Sequence, residues 1–342
     1  MTRITFLIGN GFDLNVGLDT RYADFYEYYI KNHPDDILAK AIGANYIYWS
    51  DLELGLGRYT EQVKPEDEDS FWDSEENLEQ ELANFLEIQM NRVNITDDEI
   101  KTETAVEMQR SLTEFHRKLP ELQQQHIYHV LDSIKEKIIY SFITFNYTNI
   151  LDQCLQITKK VIPTDLGKHN ANDGLIYSHT IGDVLHIHGT TDAEMVLGVN
   201  DEEQIANKEF NKNTLYRQLL IKEETNRRFD RGKVEEAHHI IDDSIVICVF
   251  GMSIGRTDKM WWQYICEWLE NSENHFLIIY VKADKASEGK RIGKRTLFRW
   301  QDEMLNRLKN NADMPDEEWE RIRNRIYVEC KTDLFNFKIV DK

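Results

Sequence analysis

Ile4-Thr-Phe-Leu-Ile-Gly-Asn-Gly-Phe-Asp-Leu-Asn-Val-Gly-Leu18 runs from a short apolar stretch straight into a turn holding three of the chain's sixteen glycines. Ile4 to Ile8 has the length of a strand and the character of one buried on both faces, as in a parallel sheet covered by helices. Glycine admits positive φ and lets a phosphate come close to backbone N–H groups, and the N-terminus of a following helix adds a favourable dipole. The spacing Gly9-x-Gly11-x5-Gly17 differs from Gly-x-Gly-x-x-Gly and lacks the lysine of a P-loop. Such a turn is as often a tight connection as a nucleotide site. Asp13 is unfavourable beside a phosphate, so a helix cap or a bond to a ribose hydroxyl is expected of it.

Outward from this turn, strand-like segments follow at Ile138 to Phe145, Val184 to His188, Met195 to Val199, Ser244 to Phe250, Phe276 to Val281 and Ile326 to Val328. Helical patterns fall between them, at Arg21 to Lys31, Asn77 to Arg92, Asp97 to Lys118, Glu121 to Glu136, Thr257 to Glu270 and Arg291 to Leu308. Strands alternating with helices predict an α/β protein, with a mostly parallel sheet flanked by helices and joined by crossovers. The first two core strands lie much further apart than a βαβ crossover needs. That excess predicts a large helical insertion after the first strand, residues 37–137, in an α/β domain made of residues 1–36 and 138–342. Inside it, the acidic stretch Glu61 to Glu81, with Pro65, reads as an exposed loop leading into a helix. A second insertion, Asp201 to His239, reads as helical and charged through Lys222, Glu223, Glu224, Arg227, Arg228, Asp230 and Arg231.

Three further strand ends carry polar clusters. Ile143-Thr-Phe-Asn-Tyr-Thr-Asn149 places Asn146 beyond a strand's carboxyl end, where ligands bind in open α/β sheets. The plainer reading has Thr148 or Asn149 capping a helix from Ile150. Leu185-His-Ile-His-Gly-Thr190 puts His186 and His188 on one face, and His188 just before a glycine suits acid–base chemistry. Two histidines at that spacing can hold a metal, but no further ligands stand nearby, and no metal is expected. Val249-Phe-Gly-Met-Ser-Ile-Gly-Arg-Thr-Asp258 is again a strand, a glycine loop and a helix start. Its Ser253 and loop amides suit a second phosphate or a ribose, Thr257 and Asp258 the first helical turn, and Trp261 and Trp262 core packing.

Composition limits the partners. Forty-one basic against sixty-one acidic side chains leave a formal charge of −20, a field that repels nucleic acid and anionic membranes. The basic cluster Lys285, Lys290, Arg291, Lys294, Arg295 and Arg299 reads as a solvated helix face. Apolar runs are strand-length, too short to cross a bilayer, and the N-terminus lacks the pattern of a signal peptide. A cytoplasmic location is the default expectation. Cys154, Cys248, Cys266 and Cys330 form no Cys-x-x-Cys pair and are expected to be buried thiols.

Together these residues resemble the sirtuin-like NAD-binding superfamily, and more closely its phage-defence branch, the abortive-infection AbiH family. The AbiH resemblance rests on Ile8-Gly-Asn-Gly-Phe-Asp-Leu-Asn-Val-Gly-Leu-Asp-Thr-Arg-Tyr-Ala-Asp-Phe25, with Phe145-Asn-Tyr-Thr148, His188-Gly189 and Gly251-Met-Ser-Ile-Gly-Arg-Thr-Asp258 in the same order. It implies a Rossmann-like, sirtuin-like fold and NAD as substrate or ligand. On that pattern Gly9 and Gly11, in a loop with Asn10 and Asp13, bind the pyrophosphate, and Asp24-Phe25 is the nearest counterpart of the sirtuin Pro-Asp-Phe-Arg. Asn146 contacts the nicotinamide-side ribose, His188, paired with Gly189, is the general base, and Gly251 with Ser253 lines the adenosine-side ribose. Asn10 and Asp13 replace the sirtuin alanine and serine, and the sirtuin zinc cysteines are missing. The implied activity is therefore plain NAD hydrolysis to nicotinamide and ADP-ribose by an antiphage effector, not deacylation. Its alternative is a non-catalytic nucleotide sensor or scaffold whose helical insertion binds a protein. A homo-oligomer or a phage or host protein trigger is compatible with both. A nuclease is disfavoured by the charge.

Overall fold

Seven strands pair into one sheet among the residues described by the computed structural model, which are 1–193, 195–229, 232–282 and 292–340. They are β1 (Thr2–Ile8), β2 (Ile138–Thr144), β3 (Gly167–Asn170), β4 (Ile176–His186), β5 (Ser244–Phe250), β6 (Phe276–Tyr280) and β7 (Ile326–Glu329). Their order is β3-β4-β2-β1-β5-β6-β7. Every neighbouring pair is parallel except the β3–β4 hairpin. β1 is thus central, with β2 on one side and β5 on the other, and the chain turns from one half of the sheet to the other around it.

The two-sided burial read from the sequence is observed. Ile4, Phe6 and Ile8 point into one apolar cluster with Phe142, Tyr140, Val246 and Cys248. Leu7 points into the opposite one with Ile143, Ile247, Val249 and Leu277. Alternate residues of a strand face opposite sides, so a strand covered on both must be apolar throughout. Thr5 is the exception, and its hydroxyl is matched by Ser244 Oγ at 2.6 Å.

The helices that follow β1 are α1 (Gly11–Val16), α2 (Tyr22–Asn32), α3 (Ile37–Ala44), α4 (Leu52–Tyr59), α5 (Glu68–Met90), α6 (Asp98–Thr113) and α7 (Glu121–Ser133). Leu112 of α6 and Ile127 of α7 pack on the sheet. The apolar residues of α2 to α5 instead form a third cluster with Tyr147 and the segment from Met195 to Ile221. After β2 come α8 (Ile150–Val161), α9 (Lys208–Lys212), α10 (Thr214–Leu220), α11 (Lys222–Arg228) and α12 (Lys233–Asp242). α13 (Lys259–Glu270), α14 (Lys294–Asn311) and α15 (Asp316–Ile322) complete the set, and Trp261 and Trp262 of α13 are core residues, as expected. All four cysteines are buried free thiols, also as expected.

Several local readings need correction. Met195 to Val199 is not a strand: it joins the third cluster through buried Met195, Leu197 and Val199, with a single bridge from Val199 to Ile221. Its apolar run reflects burial without a ladder. The sheet gains instead the polar hairpin of β3 with the first half of β4, whose half-exposed edge needs no apolar run. β4 ends at His186, so His188 lies in the turn beyond it. The acidic stretch is mostly helical, with short 3₁₀ turns at Thr60–Gln62 and Pro65–Asp67 and then α5 from Glu68. Lys294, Arg295 and Arg299 are exposed on α14, whereas Lys285, Lys290 and Arg291 lie outside the described residues, as do Asp230 and Arg231.

Candidate functional site

The loops leaving β1, β2, β4 and β5 meet over the carboxyl end of the sheet, around a cleft of about 220 Å³. A cleft there is the general consequence of strands diverging to opposite sides of a central one. Gly9, Asn10, Asp13, Asn146, His188, Gly251 and Ser253 all line it. The four motifs, distant in sequence, are brought to one place.

Two of these loops are packed backbone against backbone. Gly9 N–H donates to Phe250 O at 3.0 Å and Gly11 N–H to Gly251 O at 2.9 Å. A Cβ on Gly9 would stand 2.7 Å from Gly251 O. Close approach of loop to loop is thus what these glycines permit, and a phosphate at this turn would use other donors. Asn10 closes the loop onto Thr20, donating to its carbonyl at 2.8 Å and accepting from its hydroxyl at 2.6 Å.

Asp13 is buried at the base of the cleft. It accepts from Thr148 Oγ1 at 2.6 Å and from Asn146 Nδ2 at 3.1 Å. Burial pushes its carboxyl up to about 7, against the pull of those two hydrogen bonds. It therefore does not act as the helix cap that the sequence suggested. Neither Thr148 nor Asn149 caps α8 through its side chain: the Thr148 hydroxyl is committed to Asp13, and Asn149 Oδ1 accepts from Gln153 Nε2. Asn146 also donates to Gly9 O at 3.2 Å, while its Oδ1 is buried without a hydrogen-bond partner among the described residues. An orphaned buried acceptor is costly, and a ligand hydroxyl or a water at this point removes the cost.

His188 is 4% exposed, its ring edge-on to Phe145 at 5.4 Å between centroids. Burial, followed by the nearby Lys222 and Lys233 ammonium groups, holds its pKa well below the ordinary histidine value, so the ring is neutral. Its Nε2 lies 3.8 Å from Asp258 Oδ1. Asp258 in turn pairs with Lys222 Nζ at 3.2 Å, and Lys222 with Glu53 Oε2 at 2.7 Å. Burial alone would lower the Lys222 ammonium, but Asp258 and Glu53 outweigh it and keep the group charged. Tyr147 completes the wall, its hydroxyl donating to Val196 O at 3.1 Å and to Glu53 at 3.4 Å. Asp258 stands at the start of α13, as expected, in a 3₁₀ turn (Arg256–Asp258) that leads into the helix, while its carboxylate serves the ion pair and makes no side-chain cap.

The other expected residues lie apart from the lining. Gly11 packs on Gly251 behind the loop. Asp24 accepts from Arg21 N–H at 3.1 Å and so caps α2, and Phe25 is fully buried in the third apolar cluster. Gly189 shapes the turn after His188 with φ of 78°. His186 is drawn away by Asp152 at 2.8 Å. Among the described residues no group of three or more His, Cys, Asp or Glu is placed to hold a metal ion. Glu53, Lys222, Tyr22 and Tyr147 line the cleft without having been singled out by the sequence. Glu53 looks like an ordinary first-turn acid and Lys222 like one charge among many, so no local signal marks either.

These features define a mixed α/β protein with a polar cleft where the loops of a mostly parallel sheet converge. No helix among the described residues is long and apolar enough to cross a membrane. The family model for bacteriophage abortive infection AbiH matches residues 5–280, and the chain belongs to that family. Membership implies a role in abortive infection, a defence against phage. A comparison with curated proteins found no match.

Proposed function

We propose that the protein is a cytoplasmic abortive-infection effector with a sirtuin-like fold, which binds NAD in this cleft and hydrolyses it to nicotinamide and ADP-ribose. The observation that carries the reading is the convergence of four strand-end motifs on one cavity, with the unpartnered Asn146 Oδ1 and the neutral His188 ring both in its wall. Asn146 is anchored by Gly9 and Asp13 through its amide nitrogen, which leaves its oxygen to orient a ribose hydroxyl or the attacking water. The unprotonated His188 is in the state that takes a proton from that water. The helices of residues 37–137 would carry the surface that meets a phage or host trigger.

Purified wild-type protein should release nicotinamide from NAD. Asn146→Ala and His188→Ala should each lower the rate by about 100-fold or more, the usual loss for a positioning or general-base group, in variants whose cooperative melting shows that they are folded at the assay temperature. Wild-type rates in both variants would refute the assigned roles. The deep burial of His188, which weakens it as a base, favours a second reading in which NAD is bound but not cleaved. Thermal stabilisation by NAD with no nicotinamide released would select it.

A further inference from the structure

Behind one wall of the cleft lies a second, much smaller cavity. His188, Lys222, Thr257 and Asp258 line both spaces and so divide them, whereas Asn226 and Trp261 line only the second. Its free volume is about 10 Å³, room for a single water.

Two buried groups of α11 reach this cavity with bonding capacity to spare. Lys222 and Asn226 stand one helical turn apart, so their side chains share a face of the helix, and each is 5% exposed. An ammonium has three hydrogens to donate. Lys222 gives one to Glu53 Oε2 at 2.7 Å and one to Asp258 Oδ1 at 3.2 Å, which leaves a third. Asn226 Nδ2 donates to Ile187 O at 3.5 Å. That carbonyl decides which way round the amide sits, and Oδ1 is left buried without a hydrogen-bond partner among the described residues. Leaving a donor and an acceptor both unmet in the interior is costly. A water meets both, accepting from the first and donating to the second, and Asp258 in the dividing wall takes its other hydrogen.

We infer that the cavity holds one ordered water, bonded to Lys222 Nζ, Asn226 Oδ1 and Asp258, and that Asn226 is thereby a positioning residue for His188. It acts by two routes. Through Ile187 O it ties α11 to the residue before His188. Through the water it fixes the Lys222 ammonium and the Asp258 carboxyl, and both stand against the ring. Asp258 Oδ1 is 3.8 Å from Nε2, beyond a direct hydrogen bond, and the Lys222 charge helps to keep the ring neutral. Without the water, the third Lys222 hydrogen and Asp258 are free to pair elsewhere, and the surroundings of the ring change. The water site rests on this geometry alone. Its bearing on turnover rests on the reading of His188 as the base.

A crystal structure of the wild type that shows ordered waters should have one peak within about 3.2 Å of both Asn226 Oδ1 and Lys222 Nζ. No peak there, or one bonded to neither group, overturns the inference. Asn226→Leu, close to asparagine in volume but without an acceptor, should melt cooperatively and lack the water. Its His188 ring nitrogens, followed by NMR and assigned with a His188→Gln variant, should resonate away from their wild-type positions. Asn226→Ser, which restores an acceptor and leaves room for water, should bring them part of the way back, and it carries the comparison if the leucine variant does not fold. Unmoved His188 resonances in a folded variant that lacks the water overturn the positioning role. Where nicotinamide is released, Asn226→Leu should lower kcat about tenfold or more and change KM less than about threefold, as expected of a displaced catalytic group. An unchanged kcat also overturns that role. A wild type that releases no nicotinamide refutes NAD hydrolysis instead, and the crystal and NMR results still decide the water site and the part of Asn226.

Discussion

Gly251→Ala should destabilise the protein by about 2–5 kcal/mol, measured by urea unfolding, and should abolish ligand binding at the cleft. Two independent costs meet at this position. Gly251 has φ of 72°, left-handed backbone that costs a residue with a Cβ about 1–2 kcal/mol. The added carbon would also stand 2.8 Å from both Gly11 Cα and Phe12 N. Those are backbone atoms at the start of α1 and cannot swing aside as a side chain would, so the loops must separate. Overpacking of that kind costs about 1–3 kcal/mol. Separation would break the Gly11 N–H to Gly251 O bond and move Asn10 and Asp13 away from Met252 and Ser253. Gly174→Ala isolates the backbone share, since Gly174 has φ of 81° but no atom within 4 Å of an added Cβ. It should cost only about 1–2 kcal/mol. A Gly251→Ala cost no larger than that of Gly174→Ala would mean that loop-on-loop packing does not hold the cleft together.

The same glycines explain how far the sequence could be read. Glycine beside a phosphate and glycine beside another backbone meet one requirement, the absence of a Cβ, and a sequence does not distinguish them. Where a motif is local, an apolar run ending in Gly, Asn or His, both the strand and its polar end were legible. Gly9, Asn146, His188 and Gly251 accordingly meet at one cleft. Hydrophobicity records burial but not what buries it, so Met195 to Val199 passed for a strand while packing against α2 to α5. β3 and the start of β4 went unseen because an exposed edge hairpin needs no apolar run. Charge was least legible. Glu53 and Lys222 are 2.7 Å apart and both buried, yet Glu53 reads as an ordinary first-turn acid of α4 and Lys222 as one charge in a highly charged helix. Only the tertiary fold pairs them.

Raising the pH from about 6.5 to about 8 should lower stability by several kcal/mol. Burial, then Glu79 and Glu76, push the Glu75 carboxyl up to about 8. Burial likewise raises Asp13, Glu79 and Glu329 to about 7. These folded-state values lie above those of the unfolded chain, so the native protein retains protons that the unfolded chain has lost. Stability then falls as pH rises, until each folded pKa is passed. Histidines oppose this mainly on the acid side. Burial lowers His116 and His179 to about 4, and His188 is also well below its ordinary value. The unfolded chain takes up these protons with a pKa near 6.5, so the histidines cost stability below that pH and their effect fades only by about pH 7.5. Between about 6.5 and 8 the carboxyls outweigh the fading histidine effect, each acting by up to about 1.4 kcal/mol per pH unit while it remains protonated. Glu75→Gln removes the largest contributor with little change of shape. It should be more stable than the wild type above pH 8, on the order of 2–4 kcal/mol, and close to it near pH 5. Urea unfolding at a series of pH values checks both curves. A wild-type stability that is flat or rising over this window would show that these carboxyls ionise freely in the folded protein. A Glu75→Gln curve parallel to the wild type would show the same for Glu75 alone.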